Sequence, residues 1–338
     1  MKIALTVFGA TYQMGDNLDR WTLFADALSR LGCQFTDLSD PDSEVYVSID
    51  HHRESLRKVR RNIPKSKRVL ILREPVSVNP TQYRCSILNN YQYVYSANLD
   101  LTDPLFKIFP DGYLNSSSPN FDGSLAELRP YFLSFLGENK FSLHPKSLYK
   151  FRQKCIKTIA NSSVQLRLGG RYWETGLSRY VSQQLFSIVF LIKSLSAISL
   201  SQFRIPLSNA EKSRILLVGY VDNAHHFYEQ SKFVLVIENE KSELSEKLFN
   251  AIGGGSIPIY FGCDLKTILP EISNLVFQFK NQEELLEILE RISSMSESQI
   301  AYIRSSLQNV YCDPRFRNRW SENISMVNLA SFVANDLL

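Results

Sequence analysis

The hydrophobic pattern is a series of short, mostly apolar runs, with segments between them that carry apolar positions every three or four residues. Residues 2–8 (KIALTVF), 44–49 and 68–72 are runs of this kind, and 93–95 and 106–109 are shorter ones. Between them, 18–31 is amphipathic at helical spacing and contains Trp21, and 53–62 is a basic helical stretch. Such β-branched runs are typical of strands covered on both faces, and their alternation with helices predicts a parallel sheet. A polar stretch at 115–124, NSSSPNFDGS, then breaks the pattern and reads as a domain linker.

A second alternating series follows. Residues 131–136 predict a strand, 145–160 a helix, and 164–168 a strand running into Gly169, Gly170, Arg171, Tyr172 and Trp173. The apolar segment 180–200 reads as a helix, and Asp222 is placed to cap another reaching 230. A strand at 276–279, a helix at 282–292 and two further helices complete the series, the last starting in PRFRNRW at 314–320. The expected organisation is two α/β domains, 1–120 and 126–312, with a closing helix in 313–338 that can pack back on the first.

The most informative stretch is 231–262, SKFVLVIENEKSELSEKLFNAIGGGSIPIYFG. A buried strand at 233–237 gives way to a polar loop, after which Ser245 can cap a helix carrying Leu248, Phe249 and Ile252 on one side. Three glycines stop the helix and 257–261 supplies a second buried strand. Glu238, Asn239, Glu246 and Lys247 thus fall at the carboxyl end of a strand, where open parallel sheets bind ligands.

Composition narrows this picture. The 338 residues are 44% hydrophobic and 21% charged, as in soluble globular proteins, and the net charge of +4 lacks the basic stripe of a nucleic-acid binder. Five scattered cysteines without a paired spacing predict reduced thiols rather than a metal or disulfide framework. The start lacks the pattern of a signal peptide, and 185–192 is too short to cross a bilayer, so a cytoplasmic location is expected, with at most peripheral contact at the inner face of the membrane. His225 and His226 lack a third metal ligand at useful spacing, and the triple glycine is not followed by the Lys-Ser/Thr of a P-loop.

The segments GYVDNAHHFYEQSKFVLVIEN and SEKLFNAIGGGSIPIYFG resemble the donor-binding region of the α-1,3/1,4-fucosyltransferases, glycosyltransferase family 10. REPVSVNP at 73–80 looks like that family's E-x-P segment, and YVYS with FPDGYL its next two elements. SFLGENK at 134–140, YKFR at 149–152 and LGGRYW at 168–173 continue the match in order. The resemblance implies a GT-B fold of two Rossmann-like domains and inverting transfer of L-fucose from GDP-fucose to a sugar hydroxyl, with no cofactor and no metal. An oligosaccharide or glycolipid acceptor, such as a polysaccharide or lipopolysaccharide precursor, goes with it. One departure is visible: the loop here is EKSEL, shorter than the family's and without its aromatic residue, so Tyr220 or Tyr228 would have to serve the base.

Each carried-over residue has a structural alternative. The resemblance puts the catalytic base at Glu74, which ends a buried strand; it could equally pair with Arg73 or Arg84. Lys247 and Glu246 are assigned to the diphosphate and the ribose, or form an ordinary solvated first turn. Arg171 can clamp a phosphate bidentately or lie idle on the surface. Asn139, Lys140 and Arg152 are assigned to the donor against plain loop and helix-surface roles, and Glu238 and Asn239 bind donor or anchor their own loop. A different nucleotide sugar, or a glycan- or nucleotide-binding protein without catalysis, remain the competing functions.

Overall fold

A computed structural model describes residues 1–13, 20–98, 101, 103–109, 114, 129–142, 144–173, 179–180 and 213–337. The expected linker, residues 110–113 of the FPDGYL match and nearly all of the apolar segment 180–200 lie outside them. The chain divides into two compact units, Met1–Ser116 with Arg317–Leu338, and Ser117–Phe316.

The first unit contains β1 (Lys2–Val7), β2 (Ala10–Thr11), α1 (Arg20–Arg30), β3 (Gln34–Thr36), β4 (Val45–Ile49), α2 (Arg53–Val59), β5 (Arg68–Leu72), α3 (Cys85–Leu88), β6 (Tyr93–Ser96) and β7 (Phe106–Ile108). Its sheet runs β2-β1-β4-β5-β6-β7, parallel except for the β1–β2 pair, with β3 also beside β1. Period-2 alternation sorts the strand residues onto two covered faces. Ile3, Leu5, Val47 and Ile71 pack against Phe24 and Leu28 of α1, whereas Ala4, Tyr46, Leu70 and Val94 pack with Leu56 and Val59 of α2.

The second unit contains β8 (Tyr131–Leu136), β9 (Lys140–Phe141), α4 (Tyr149–Ala160), β10 (Leu166–Gly169), β11 (Arg179–Tyr180), β12 (Ile215–Gly219), α5 (Ala224–Glu229), β13 (Ser231–Ile237) and α6 (Glu246–Gly253). It continues with β14 (Ile257–Phe261), α7 (Leu265–Ile268), β15 (Phe277–Gln278), α8 (Gln282–Ser293), α9 (Glu297–Cys312) and α10 (Pro314–Arg319), whose last residues pass into the first unit. The order β12-β10-β8-β13-β14-β15 is parallel throughout. Finally α11 (Glu322–Leu337) returns to the first unit, where Met326, Leu329 and Val333 join the α1 side of the core.

Several sequence expectations need correction. Three helices, not two, follow α8, because Asp313 accepts from the backbone N–H of Arg315 (2.7 Å) and starts α10 with Pro314 in its first turn. The cap of α5 is Asn223, which accepts from the N–H of His226 (3.1 Å), and not Asp222. Helix α4 begins at Tyr149 rather than 145, after a turn in which Ser147 donates to His144 O. Strand β12 is an addition; its run ILLVG is apolar on both faces, but Leu216, Leu217 and Val218 stay exposed at the sheet edge.

Candidate functional site

Strand order fixes where a ligand can enter each sheet. In the second unit the chain steps outward from β8 to β10 and β12, then restarts on the other side of β8 with β13. The reversal opens a crevice at the carboxyl ends of β8 and β13. Three loops meet there: 137–140 after β8, 170–173 after β10 and 238–245 after β13.

The loops are tied together by backbone groups. Trp173 Nε1 donates to Gly137 O (2.7 Å), and the N–H of Asn139 to Arg171 O (3.0 Å). A Cβ on Gly170, at φ +120°, would lie 2.2 Å from Gly137 O, so only glycine allows this approach. Asn139 is 2% exposed; its amide donates to Tyr172 O (3.0 Å) and accepts from Gln153 Nε2 (2.8 Å). Arg152 is also buried, donating to Ile237 O (2.9 Å), Glu238 O and Asn239 Oδ1 (both 3.3 Å) and facing the rings of Tyr149 and Phe135. Burial depresses its pKa, partly offset by Tyr149, Glu238 and Glu243. It is therefore not the helix-surface residue that the sequence allowed.

The β13 loop closes on a buried ion pair. Glu238 is wholly buried; its carboxylate accepts from the N–H (3.1 Å) and Oγ (2.6 Å) of Ser245 and from Lys247 Nζ (3.2 Å). Ser245 in turn caps α6, as expected, accepting from the N–H of Lys247. Burial opposes the Lys247 charge, yet Glu238, Glu243 and Glu246 carry its pKa above the ordinary value. Asn239 spends its N–H and Nδ2 on Glu243 (2.9 and 3.0 Å). Glu238, Asn239, Asn139 and Arg152 thus bond the loops to one another. At the rim stand exposed Arg171 and Glu246, half-buried Lys247, and Lys140 paired with Glu138 (3.1 Å). Tyr228 is buried, but Tyr220 is 60% exposed with the Arg171 guanidinium 4.1 Å from its ring centroid.

Glu243 was not singled out by sequence, since one glutamate in EKSEL looks like another. Burial pushes its carboxyl up to about 7, with Lys247 opposing and Glu238 adding to the rise. A raised acid favours folding while protonated, so its stabilising contribution is present below the ordinary 4.5 and is lost as pH rises through 7. The melting temperature should therefore fall between about pH 5 and pH 8. Glu243→Gln should flatten that fall in a calorimetric series, and an unchanged slope would refute the assignment.

At the first sheet the reversal lies between β1 and β4. Both strands leave through a left-handed residue, Phe8 at φ 50° and Asp50 at φ 55°; with Tyr172 (φ 71°) these are the non-glycine positive-φ residues among those described. Such strain concentrates at functional sites. Phe8 is 52% exposed, under the guanidinium of Arg73 (4.7 Å), which is ion-paired with Glu74 (2.6 Å). Glu74 is thus paired with Arg73 and not with Arg84. Tyr83 Oη fixes this turn by donating to Glu74 O (2.8 Å). Oδ1 of Asp50 accepts from the N–H of Arg73 (3.1 Å), and burial lifts the Asp50 pKa to about 6 against the lowering effect of Arg73. His51 bonds Tyr91 (2.9 Å) and His52 caps α2 through Ser55.

No protein-family model and no curated protein sequence matches the chain. Solved structures do. The Anabaena protein Alr3699/HepE in complex with UDP aligns at TM-score 0.55 and 12% identity, over 99% of this chain and 100% of that one. Its complex with UDP-glucose aligns at 0.51 and 13%, over 100% and 99%. A glycosyltransferase from Rickettsia africae ESF-5 aligns at 0.50 and 11%, over 96% and 84%. The chain has the GT-B fold. In GT-B terms the first unit is the amino-terminal Rossmann-like domain completed by α11, and the second is the carboxyl-terminal one. Among the described residues no helix is long and apolar enough to cross a membrane.

Proposed function

We propose that the chain is a glycosyltransferase, holding a nucleotide sugar at the carboxyl edge of the second sheet and passing the sugar to a hydroxyl of a glycan or glycolipid. The observation that carries this reading is the β8/β13 switch point, where the loop after β10 carries exposed Arg171 and the loop after β13 leads into the Ser245-capped start of α6 with Lys247, itself paired to Glu238. A diphosphate leaving group needs positive charge as its bond to the sugar breaks. Helix N–H groups and Lys247 would meet one phosphate and Arg171 the other, while Glu246 accepts from ribose hydroxyls. No metal is needed in this scheme.

Motif order favours GDP-fucose and an inverting reaction, in which a carboxylate at the first sheet's edge takes the acceptor proton. The resemblance puts that role on Glu74. A polysaccharide or lipopolysaccharide precursor, reached in the cytoplasm with at most peripheral membrane contact, suits the same reading. The second reading is a UDP-sugar donor, favoured by the short loop without an aromatic and by the UDP bound in the Anabaena protein. In either case Tyr220 is the exposed ring that a base can stack on.

Thermal-shift measurement with GDP, UDP, CDP and ADP separates them. A nucleotide at a hundred times its Kd should stabilise the protein by about 2.7 kcal/mol. Stabilisation by GDP alone supports the first reading, and by UDP alone the second; no response to any of the four removes both. Binding without turnover of the matching nucleotide sugar would leave a binding protein on this scaffold.

A further inference from the structure

The carboxyl edge of the first sheet carries an aromatic ring where the backbone calls for another residue. Strands β1 and β2 pair with Val7 opposite Ala10, so Phe8 and Gly9 form a two-residue hairpin turn, both at positive φ (50° and 88°). Turns of this kind, type I′, favour Asn-Gly, because a bulky side chain is strained at the first position. Burial does not offset that strain, since the Phe8 ring is 52% exposed. The turn is nevertheless held in place. Ser55 Oγ donates to Gly9 O (3.3 Å), and a Cβ on Gly9 would lie 2.6 Å from the ring of His52, the cap of α2.

Neighbouring strands bring polar groups to the same edge. Val7 lies opposite Ile49 and Ile49 opposite Ile71, so Phe8, Asp50 and Arg73 follow one another across β1, β4 and β5. The Arg73 guanidinium stands 4.7 Å from the Phe8 ring centroid and spends Nη2 on Glu74 Oε1 (2.6 Å). Each carboxylate bonds through one oxygen, so that among the described residues Asp50 Oδ2, Glu74 Oε2 and the Nε and Nη1 of Arg73 make no hydrogen bond.

From this geometry we propose that the row is a binding site for a neutral pyranose, with the Phe8 ring as the platform under the sugar. The C–H groups on one face of a pyranose carry slight positive charge and suit the negative face of an aromatic ring. Arg73 lies over one face of Phe8, leaving the other to the sugar. Hydroxyls at the sugar's rim donate to Asp50 Oδ2 and Glu74 Oε2 and accept from Arg73, whose fork suits two adjacent oxygens. Two carboxylates against one guanidinium leave the edge negative, so a sugar bearing a carboxylate is rejected. All of these residues belong to the first unit. That the bound sugar is the acceptor rests on the transferase reading; the binding itself does not.

The test is saturation-transfer NMR on the full chain with the methyl glycosides of glucose, galactose and N-acetylglucosamine, and methyl glucuronide as the charged comparison. Melting with GDP and with UDP is measured on the same protein. At least one neutral glycoside should bind, and the glucuronide should bind more weakly than it. Phe8→Asn removes the platform and suits the turn better, so it should weaken that binding about tenfold while melting no lower than the parent. Phe8→Tyr keeps the ring and should bind as the parent does. Four results would each overturn the inference: no glycoside bound by the parent, a glucuronide bound as tightly as the neutral sugars, unchanged binding in Phe8→Asn, or a Phe8→Asn protein that melts lower because the ring serves the fold. A nucleotide shift without sugar binding leaves the transferase reading standing. Sugar binding without a nucleotide shift supports the site and removes that reading.

Discussion

Replacing Glu238 by Ala is expected to destabilise the second unit by about 3–5 kcal/mol, the cost of leaving one partner of a buried ion pair alone. Glu238 is the only acid bonded to the Lys247 ammonium among the described residues, and it also holds Ser245, the cap of α6. Two to four degrees per kcal/mol, typical of a unit this size, makes the drop in melting temperature on the order of 10 °C. A double variant, Glu238→Gln with Lys247→Met, separates stability from binding. Removing both charges at once relieves the desolvation cost, so much of the melting temperature should return. Nucleotide affinity should not, because the positive charge beside the helix start is gone. A double variant that regains both would show that Lys247 does no more than fill its site.

Gly170→Ala should come close to it in size. The new methyl group would meet the Gly137 carbonyl at 2.2 Å, and the obstacle is backbone, which cannot swing aside as a side chain does. Overpacking of about 1–3 kcal/mol adds to a backbone strain of about 1–3 kcal/mol. Gly32→Ala is the matched control: φ is +84°, yet nothing lies within 4 Å of the added carbon, so strain acts alone. In thermal melts Gly170→Ala should lose at least twice as much as Gly32→Ala, and in binding assays it alone should weaken nucleotide affinity. Equal losses would mean that the two loops part without cost.

The strands were legible because they are buried on both sides. Residues 68–72, 131–136 and 257–261 are mostly apolar runs in the sequence, broken only by Arg68 and Ser134, and strands with those bounds in the structure. Strand β12 was not expected, although ILLVG is a short apolar run of the same kind. The helix cap Ser245 and the charged start of α6 could also be read, because capping is local chemistry. What Arg152 and Asn139 do could not. Their partners Ile237, Glu238, Asn239 and Tyr172 lie tens of residues away, and no spacing rule reports a bond closed by a sheet. Asp50 escaped for a different reason. It ends a core strand just as Glu74 does, but its conformation and its burial are properties of the turn and not of the residue type.

The helix α11 has a consequence for the order in which the protein is made. Its apolar face fills one side of the first sheet beside α1, Tyr95 and Lys107 bond Asp336, and Lys67 Nζ donates to Leu337 O. Synthesis runs from the amino terminus at roughly 5–20 residues per second, and domains fold as they emerge. The second unit has all of its strands in hand while the first still lacks Met326, Leu329 and Val333, which join the α1 side of its core. The half that is translated first is thus the half that is completed last.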